Sequence, residues 1–122
     1  MTRLSALGQV ALAVSDADRA EAFYGEQLGL TKLFRFGHLV FFDCGGVRLM
    51  LDGDSKEAGA IEGVCLYYRI SGIEQAYEDL KARGVPFDDG PHLIAKMPDH
   101  KLWMAFFRDP DRNLLAIMEE NR

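Results

Sequence analysis

The sequence predicts an α+β fold in which one module is written twice, and three observations carry that prediction. Glycines recur at a fixed spacing: Gly63 follows Gly8, and Gly84 follows Gly29, by the same 55 positions. Each half opens on an apolar run, 9–14 and 64–70, and passes into a segment whose apolar residues recur every three to four positions. Each half closes on two apolar runs parted by a turn, Cys44-Gly45-Gly46 in one and Asp109-Pro110-Asp111 in the other. Repetition on this scale marks duplicated units that must bury their apolar faces on something shared. The whole chain, 1–122, reads as one domain: module one over about 6–52, a linker over about 53–62, and module two over about 63–119.

The elements follow in order. Residues 9–14 form a strand, ended by Ser15-Asp16, either of which can cap the next helix. That helix carries Ala17, Ala20, Phe23, Tyr24 and Leu28 on one face, and Gly29 supplies its left-handed end. Strands are expected near 32–36, 39–43 and 47–52. The polar, glycine-rich stretch 53–62 is the linker. The second strand–helix pair runs through 64–70 and a helix capped by Ser71, with Ile73, Ala76, Tyr77 and Leu80 inward and Gly84 ending it. Further strands are expected near 86–88, 102–108 and 113–118, and 89–101, with Pro91, Pro98 and Asp99, as the longest irregular element.

Composition narrows the function classes. A chain of 122 residues, 48% hydrophobic and 27% charged, has the makeup of an ordinary globular domain with a real core. The formal charge of −5, with no basic stripe, argues against a nucleic-acid partner. Cys44 and Cys65 form no C-x-x-C pair, so two reduced thiols in a cytoplasmic protein are expected. Polar Gln9 and Asp16 interrupt the start before a signal-peptide core forms, and the apolar run around Leu39–Phe42 is far too short for a membrane span.

Val10-Ala11-Leu12-Ala13-Val14 with Asp16, then Phe23-Tyr24 and Leu28-Gly29-Leu30, resembles the opening module of the vicinal oxygen chelate superfamily, which holds glyoxalases, bleomycin resistance proteins and extradiol dioxygenases. Asp109-Pro110-Asp111-Arg112-Asn113-Leu114-Leu115 is similar to its closing turn and last strand, except that Arg112 stands where the family has glycine. A left-handed backbone at Arg112 would cost on the order of 1 kcal/mol relative to glycine, and a relaxed turn is expected instead. The resemblance spans about residues 6–119. It implies two βαβββ modules forming a cupped, partly open barrel-like sheet around a cavity, and it implies no single reaction.

Enzymes of the family hold a divalent metal on four strands, where it polarises a substrate bearing two adjacent oxygens. Carried over by resemblance, the four ligand positions fall on Gln9, Met50, Val64 and Ala116. Gln9 is an acceptable donor; Met50 offers a soft thioether; Val64 and Ala116 offer nothing. No metal is therefore expected, the alternative being zinc, nickel, manganese or iron on other ligands. His38, His92 and His100 lack metal-motif spacing and read as solvated loop residues. Lys96 and His100 occupy loop positions where fosfomycin-resistance transferases of the family place polar substrate contacts.

Strand alternation extends the cavity wall. If the four ligand positions face inward, so do Ala11, Leu66, Tyr68, Leu114 and Met118, together with Leu102, Met104 and Phe106. The wall is apolar, with Gln9 and Tyr68 as polar tips. Trp103 is expected on the opposite face. Catalytic residues are not assigned. The expectation is a homodimer that binds a small apolar or cationic-aromatic molecule in a metal-free cavity, like the bleomycin-binding members. Two alternatives stay open: a metal-dependent lyase, isomerase or dioxygenase, and a non-catalytic interaction module with a closed core.

Overall fold

Each half of the chain forms its own four-stranded sheet with a helix on one face, as the duplicated pattern predicts. The computed structural model describes residues 2–56, 58–59 and 63–122, and contacts divide the chain into units Met1–Gly59 and Ala60–Arg122. Unit one runs β1 (Gln9–Ala13), α1 (Ala17–Ala22), a π-helical turn (Phe23–Gln27), β2 (Thr31–Phe36), β3 (Leu39–Cys44) and β4 (Val47–Asp52). Unit two runs β5 (Leu66–Arg69), α2 (Ile73–Ala82), β6 (His92–Lys96), β7 (Lys101–Arg108) and β8 (Leu114–Asn121). The sheets share one plan, β1-β4-β3-β2 and β5-β8-β7-β6, and neither is closed. In both, the first and last strands of the module pair in parallel and the others antiparallel.

In unit one, alternation separates the two faces of the sheet, with Phe41 the buried residue of the face away from the helix. Leu12, Val14, Val40, Phe42, Leu49 and Leu51 are buried, as are Ala17, Ala20, Phe23 and Tyr24 of the helical segment that packs on β3 and β4. Asp16 caps α1, accepting from the Arg19 amide at 3.1 Å, while Ser15 accepts from the Arg19 guanidinium. The helix does not keep an α-helical period to Leu28. Its last turn widens to a π-helix, in which the Leu28 amide donates to the Phe23 carbonyl. Gly25 in that turn lies against Phe42, where a Cβ would come within 3.3 Å of the ring.

Unit two buries Ala105, Phe107, Leu115 and Ile117 with Ile73, Leu80 and Val85. Tyr77, Phe87 and Phe107 extend this core as successive ring contacts, 4.8 and 5.1 Å between centroids. Trp103 lies on the same side as these core residues, half-buried.

Several sequence expectations need correction. The strand near 86–88 reduces to a single bridge, Phe87 to Phe107, and the second strand of module two lies at His92–Lys96, inside the stretch read as irregular. Pro91 immediately precedes that edge strand, a position where its missing N–H breaks no ladder. Ser71 does not cap α2. Gly72 is the N-cap, in a left-handed conformation, and the Glu119 carboxylate accepts from the Gly72 and Ile73 amides at 2.6 and 3.1 Å. The stretch read as linker begins inside unit one: Gly53 is buried and its amide donates to the His38 carbonyl, while the Ser55 amide donates to Val14. Glu57 and 60–62 of that stretch lie outside the described residues.

The Asp109–Asn113 turn has not relaxed around Arg112, whose φ is +69°. The buried Asp109 carboxylate holds the turn, accepting from the Asp111 and Asn113 amides and from the Asn113 side chain at 2.8–2.9 Å. Five charge-assisted or turn-closing bonds outweigh the roughly 1 kcal/mol strain of a non-glycine residue there. Among the described residues, no helix is long and apolar enough to cross a membrane.

Candidate functional site

The face of each sheet turned away from its helix carries the candidate residues. On sheet one, register places Gln9 beside Arg48, Ala11 beside Met50, Met50 beside Phe41, and Phe41 beside Phe34. Phe34 and Phe41 stack at 4.5 Å between ring centroids. The Arg48 guanidinium lies 5.6 Å from the centre of the Phe41 ring, and its Nε donates to Gln9 Oε1 at 2.9 Å. Gln9 Nε2 in turn approaches Met50 Sδ at 3.9 Å. Gln9, Ala11 and Met50 are thus brought together as predicted. Arg48 is the neighbour that sequence reasoning missed, although its place two residues before Met50 was a usable signal.

On sheet two, Ala116 lies between Tyr67 and Phe106, whose rings meet edge to face at 6.0 Å. The next row along is Arg69, Met118, Met104 and His92. Met104, Phe106 and Ala116 therefore share this face, as predicted, with Leu102, Leu114 and Met118. Leu66 and Tyr68 do not. They pair with Leu115 and Ile117, on the helix-covered side, and Tyr67 takes the place assigned to them. The cause is register. Val14 donates to Asp52 as Ile70 donates to Met118, so the strands correspond one residue later than the glycine repeat suggests, and a one-residue slip exchanges faces. The counterpart of Gln9 is therefore Cys65, and Val64 precedes the strand, exposed.

Lys96 pairs with Lys101, whose neighbour across β8 is Asn121, and so faces the helix side rather than the Ala116 side. His100 sits in the β6–β7 turn, where Asp99 binds its Nδ1 at 2.8 Å and Arg122 grips Asp99 from the chain end. The Arg122 guanidinium and His100 hold the Asp99 carboxyl below its ordinary range. Lys96 therefore does not join the open face.

The residues present do not fit the divalent metal that the resemblance implies. Gln9 Oε1 is already taken by a cationic guanidinium, Met50 is a thioether, and Ala116 is a methyl group. Burial pushes the Cys65 thiol up, against smaller lowering effects of Tyr67 and Arg108. Among the described residues, no group of three or more His, Cys, Asp and Glu side chains converges. Concavities also occur elsewhere. A groove of about 410 Å³ beside α1 and β2 is crossed by the Arg35–Asp18, Arg35–Glu21 and Lys32–Glu21 ion pairs. These pairs hold Glu21 below its usual range, Arg35 most strongly, and their polar groups face one another rather than an open hollow.

Two βαβββ units with this topology define a glyoxalase-type α+β protein. A sequence profile of the Glyoxalase/Bleomycin resistance protein/Dioxygenase superfamily matches residues 6–117, and the chain belongs to that superfamily. It is 29% identical to the Bacillus subtilis (strain 168) protein named "Uncharacterized protein YraH", over 89% of this chain and 94% of that one. Its fold is similar to that of a glyoxalase/bleomycin resistance protein/dioxygenase from Nocardioides, with a TM-score of 0.76, 22% identity, and 100% and 87% of the two chains covered. It is also similar to a lactoylglutathione lyase from Agrobacterium tumefaciens, with a TM-score of 0.70, 25% identity, and 97% and 96% covered.

Proposed function

We propose that this protein binds a small molecule with a flat apolar body, without the metal used by enzymes of its superfamily. One observation carries the reading. Where those enzymes place metal ligands, this chain has apolar side chains: Met50, part-exposed on the face of sheet one that also carries the exposed Phe34 stacked on Phe41, offers a surface suited to an aromatic or aliphatic guest, while Ala116 is enclosed by Tyr67 and Phe106. Of the two guests expected from sequence, the neutral apolar body is favoured over the cationic one on sheet one, because Arg48 would repel a second cation there. The test is native mass spectrometry of the protein as purified, followed by thermal-shift screening of arenes. A co-purified small molecule, or a stabilising arene whose effect Met50→Ala or Phe106→Ala weakens, supports the reading. An apolar library with no effect on melting counts against it.

The likeness to a lactoylglutathione lyase keeps a metal-dependent reaction as the second reading. Dialysed protein titrated with zinc, nickel, manganese and iron separates the two. Weak, non-stoichiometric uptake is expected. Tight 1:1 binding that Gln9→Ala abolishes would establish the enzyme instead. The proposed assembly is a cytoplasmic homodimer, since edge strand β2 leaves Leu33, Phe34 and Phe36 exposed. Sedimentation equilibrium should give about twice the 13.7 kDa chain mass.

A further inference from the structure

We infer that Arg48 makes the open face of sheet one a receptor for the carboxylate of a small aryl carboxylic acid. The inference rests on the small-molecule reading above and supplies the polar end of the ligand. Arg48 is held at two points. Its Nε donates to Gln9 Oε1 at 2.9 Å, and the guanidinium lies 5.6 Å from the centre of the Phe41 ring. Both contacts fix the plane of the fork while leaving its two terminal nitrogens with no hydrogen bond or ion pair among the described residues. A planar, pre-oriented pair of N–H donors matches a carboxylate bidentately, and orientation in advance reduces what is lost on binding.

The neighbours complete the chemistry. Asp43 pairs with Arg48 across the strands, yet forms no ion pair with it within the described residues; its Oδ1 instead accepts from the Gly46 amide at 3.0 Å. Asp52, four residues further along β4, has His38 at 3.4 Å. The nearest internal carboxylate is thus committed to the β3–β4 turn, and the exposed guanidinium stays available. Beside it, the exposed Phe34, backed by the buried Phe41, and the part-exposed Met50 provide an apolar wall for the body of the acid. The guanidinium is the cationic group of this stretch of the face, with the Asp43 carboxylate opposite it held toward the Gly46 amide. A carboxylate satisfies it, while an amine meets repulsion and an alcohol leaves half the fork unmatched.

Three probes of nearly one shape decide the matter: benzoate, benzyl alcohol and benzylamine, titrated by calorimetry and by amide chemical shifts at neutral pH. Benzoate is expected to bind the whole protein at least about tenfold more tightly than benzyl alcohol, with benzylamine weakest. Arg48→Gln should remove that advantage, bringing benzoate to the affinity of benzyl alcohol or below. Arg48→Lys should restore it only in part, since an ammonium lacks the fork. Gln9→Ala, which frees the guanidinium, should weaken benzoate alone. Arg48 is exposed, so unaltered melting of both Arg48 variants is expected and keeps the comparison clean. Equal affinity for benzoate and benzyl alcohol, or an Arg48→Gln protein that still prefers benzoate, would overturn the inference and leave the small-molecule reading standing. If none of the three binds at millimolar concentration, both fall together.

Discussion

The two units meet one problem, the unsatisfied N-terminus of a helix beside the last strand, and solve it from opposite sides. In unit one the capping carboxylate is local: Asp16 precedes α1, and the corresponding strand position is Gly53, with no side chain. In unit two the local residue is Gly72, with no side chain, and the strand position is Glu119, whose carboxylate reaches both opening amides of α2. The matched bonds from Val14 to Asp52 and from Ile70 to Met118 establish that these positions correspond. One carboxylate serves each helix start; the source is interchangeable. The hairpins differ in the same spirit. The turn joining β3 and β4 uses Gly45 and Gly46, both at positive φ, whereas the turn joining β7 and β8 uses the Asp109 staple and tolerates Arg112.

The correspondence breaks most visibly at Gly53. A Cβ there would lie 2.5 Å from the Ala17 Cβ and 2.9 Å from the His38 carbonyl oxygen. Gly53→Ala should therefore destabilise the protein by about 3 kcal/mol in denaturant unfolding, although unit two carries a glutamate at the same place. A change within about 0.5 kcal/mol would show that α1 shifts away freely.

Next in size are the central positions of the two open faces. Ala116 is fully buried between Tyr67 and Phe106, whereas Ala11 beside Met50 is exposed. Ala116→Trp should lower stability by about 1–3 kcal/mol, and Ala11→Trp by less than about 0.5 kcal/mol. The sequence reading placed Ala116 on the wall of a cavity, with a closed core as the alternative. An Ala116→Trp protein that melts no lower than the wild type would restore that cavity.

The caps come third. Glu119→Ala leaves two amides without their acceptor and should cost about 1–2 kcal/mol, while Asp16→Ala should cost about 1 kcal/mol. Restoring a local cap with Gly72→Asp in the Glu119→Ala background should recover little, because Gly72 sits at φ +71°, where aspartate is strained. Full recovery would mean that the two solutions are freely exchangeable. Smallest is Arg112→Gly, expected to stabilise by about 1 kcal/mol through relief of a left-handed φ. Equal stability of the two proteins would place the whole benefit in the Asp109 network.

Much of the architecture was legible because it depends on short-range chemistry. Alternating apolar residues specified β1, β3, β4 and β7, an aspartate before an apolar period specified the start of α1, and glycines at 29, 45, 46 and 84 marked ends and turns with positive φ. The face shared by Gln9, Ala11 and Met50 followed from the same alternation, as did that of Met104, Phe106 and Ala116. Tyr67 escaped because the repeat of glycines in loops does not fix the register of strands, and period-two alternation turns an error of one into the opposite face.

By itself, then, the sequence determined most of the strands, both helices, and that they repeat. Local conformational preference and the identity of side chains at aligned positions are properties of the chain as written. Tertiary structure alone decided that Glu119 caps α2, that Cys65 rather than Val64 answers to Gln9, that Ala116 is enclosed by two rings, and that Arg48 rests on Gln9 and Phe41. Each of these joins groups on separate strands or elements, and such partners are chosen by hydrogen-bond register and packing, which no local pattern of residues encodes.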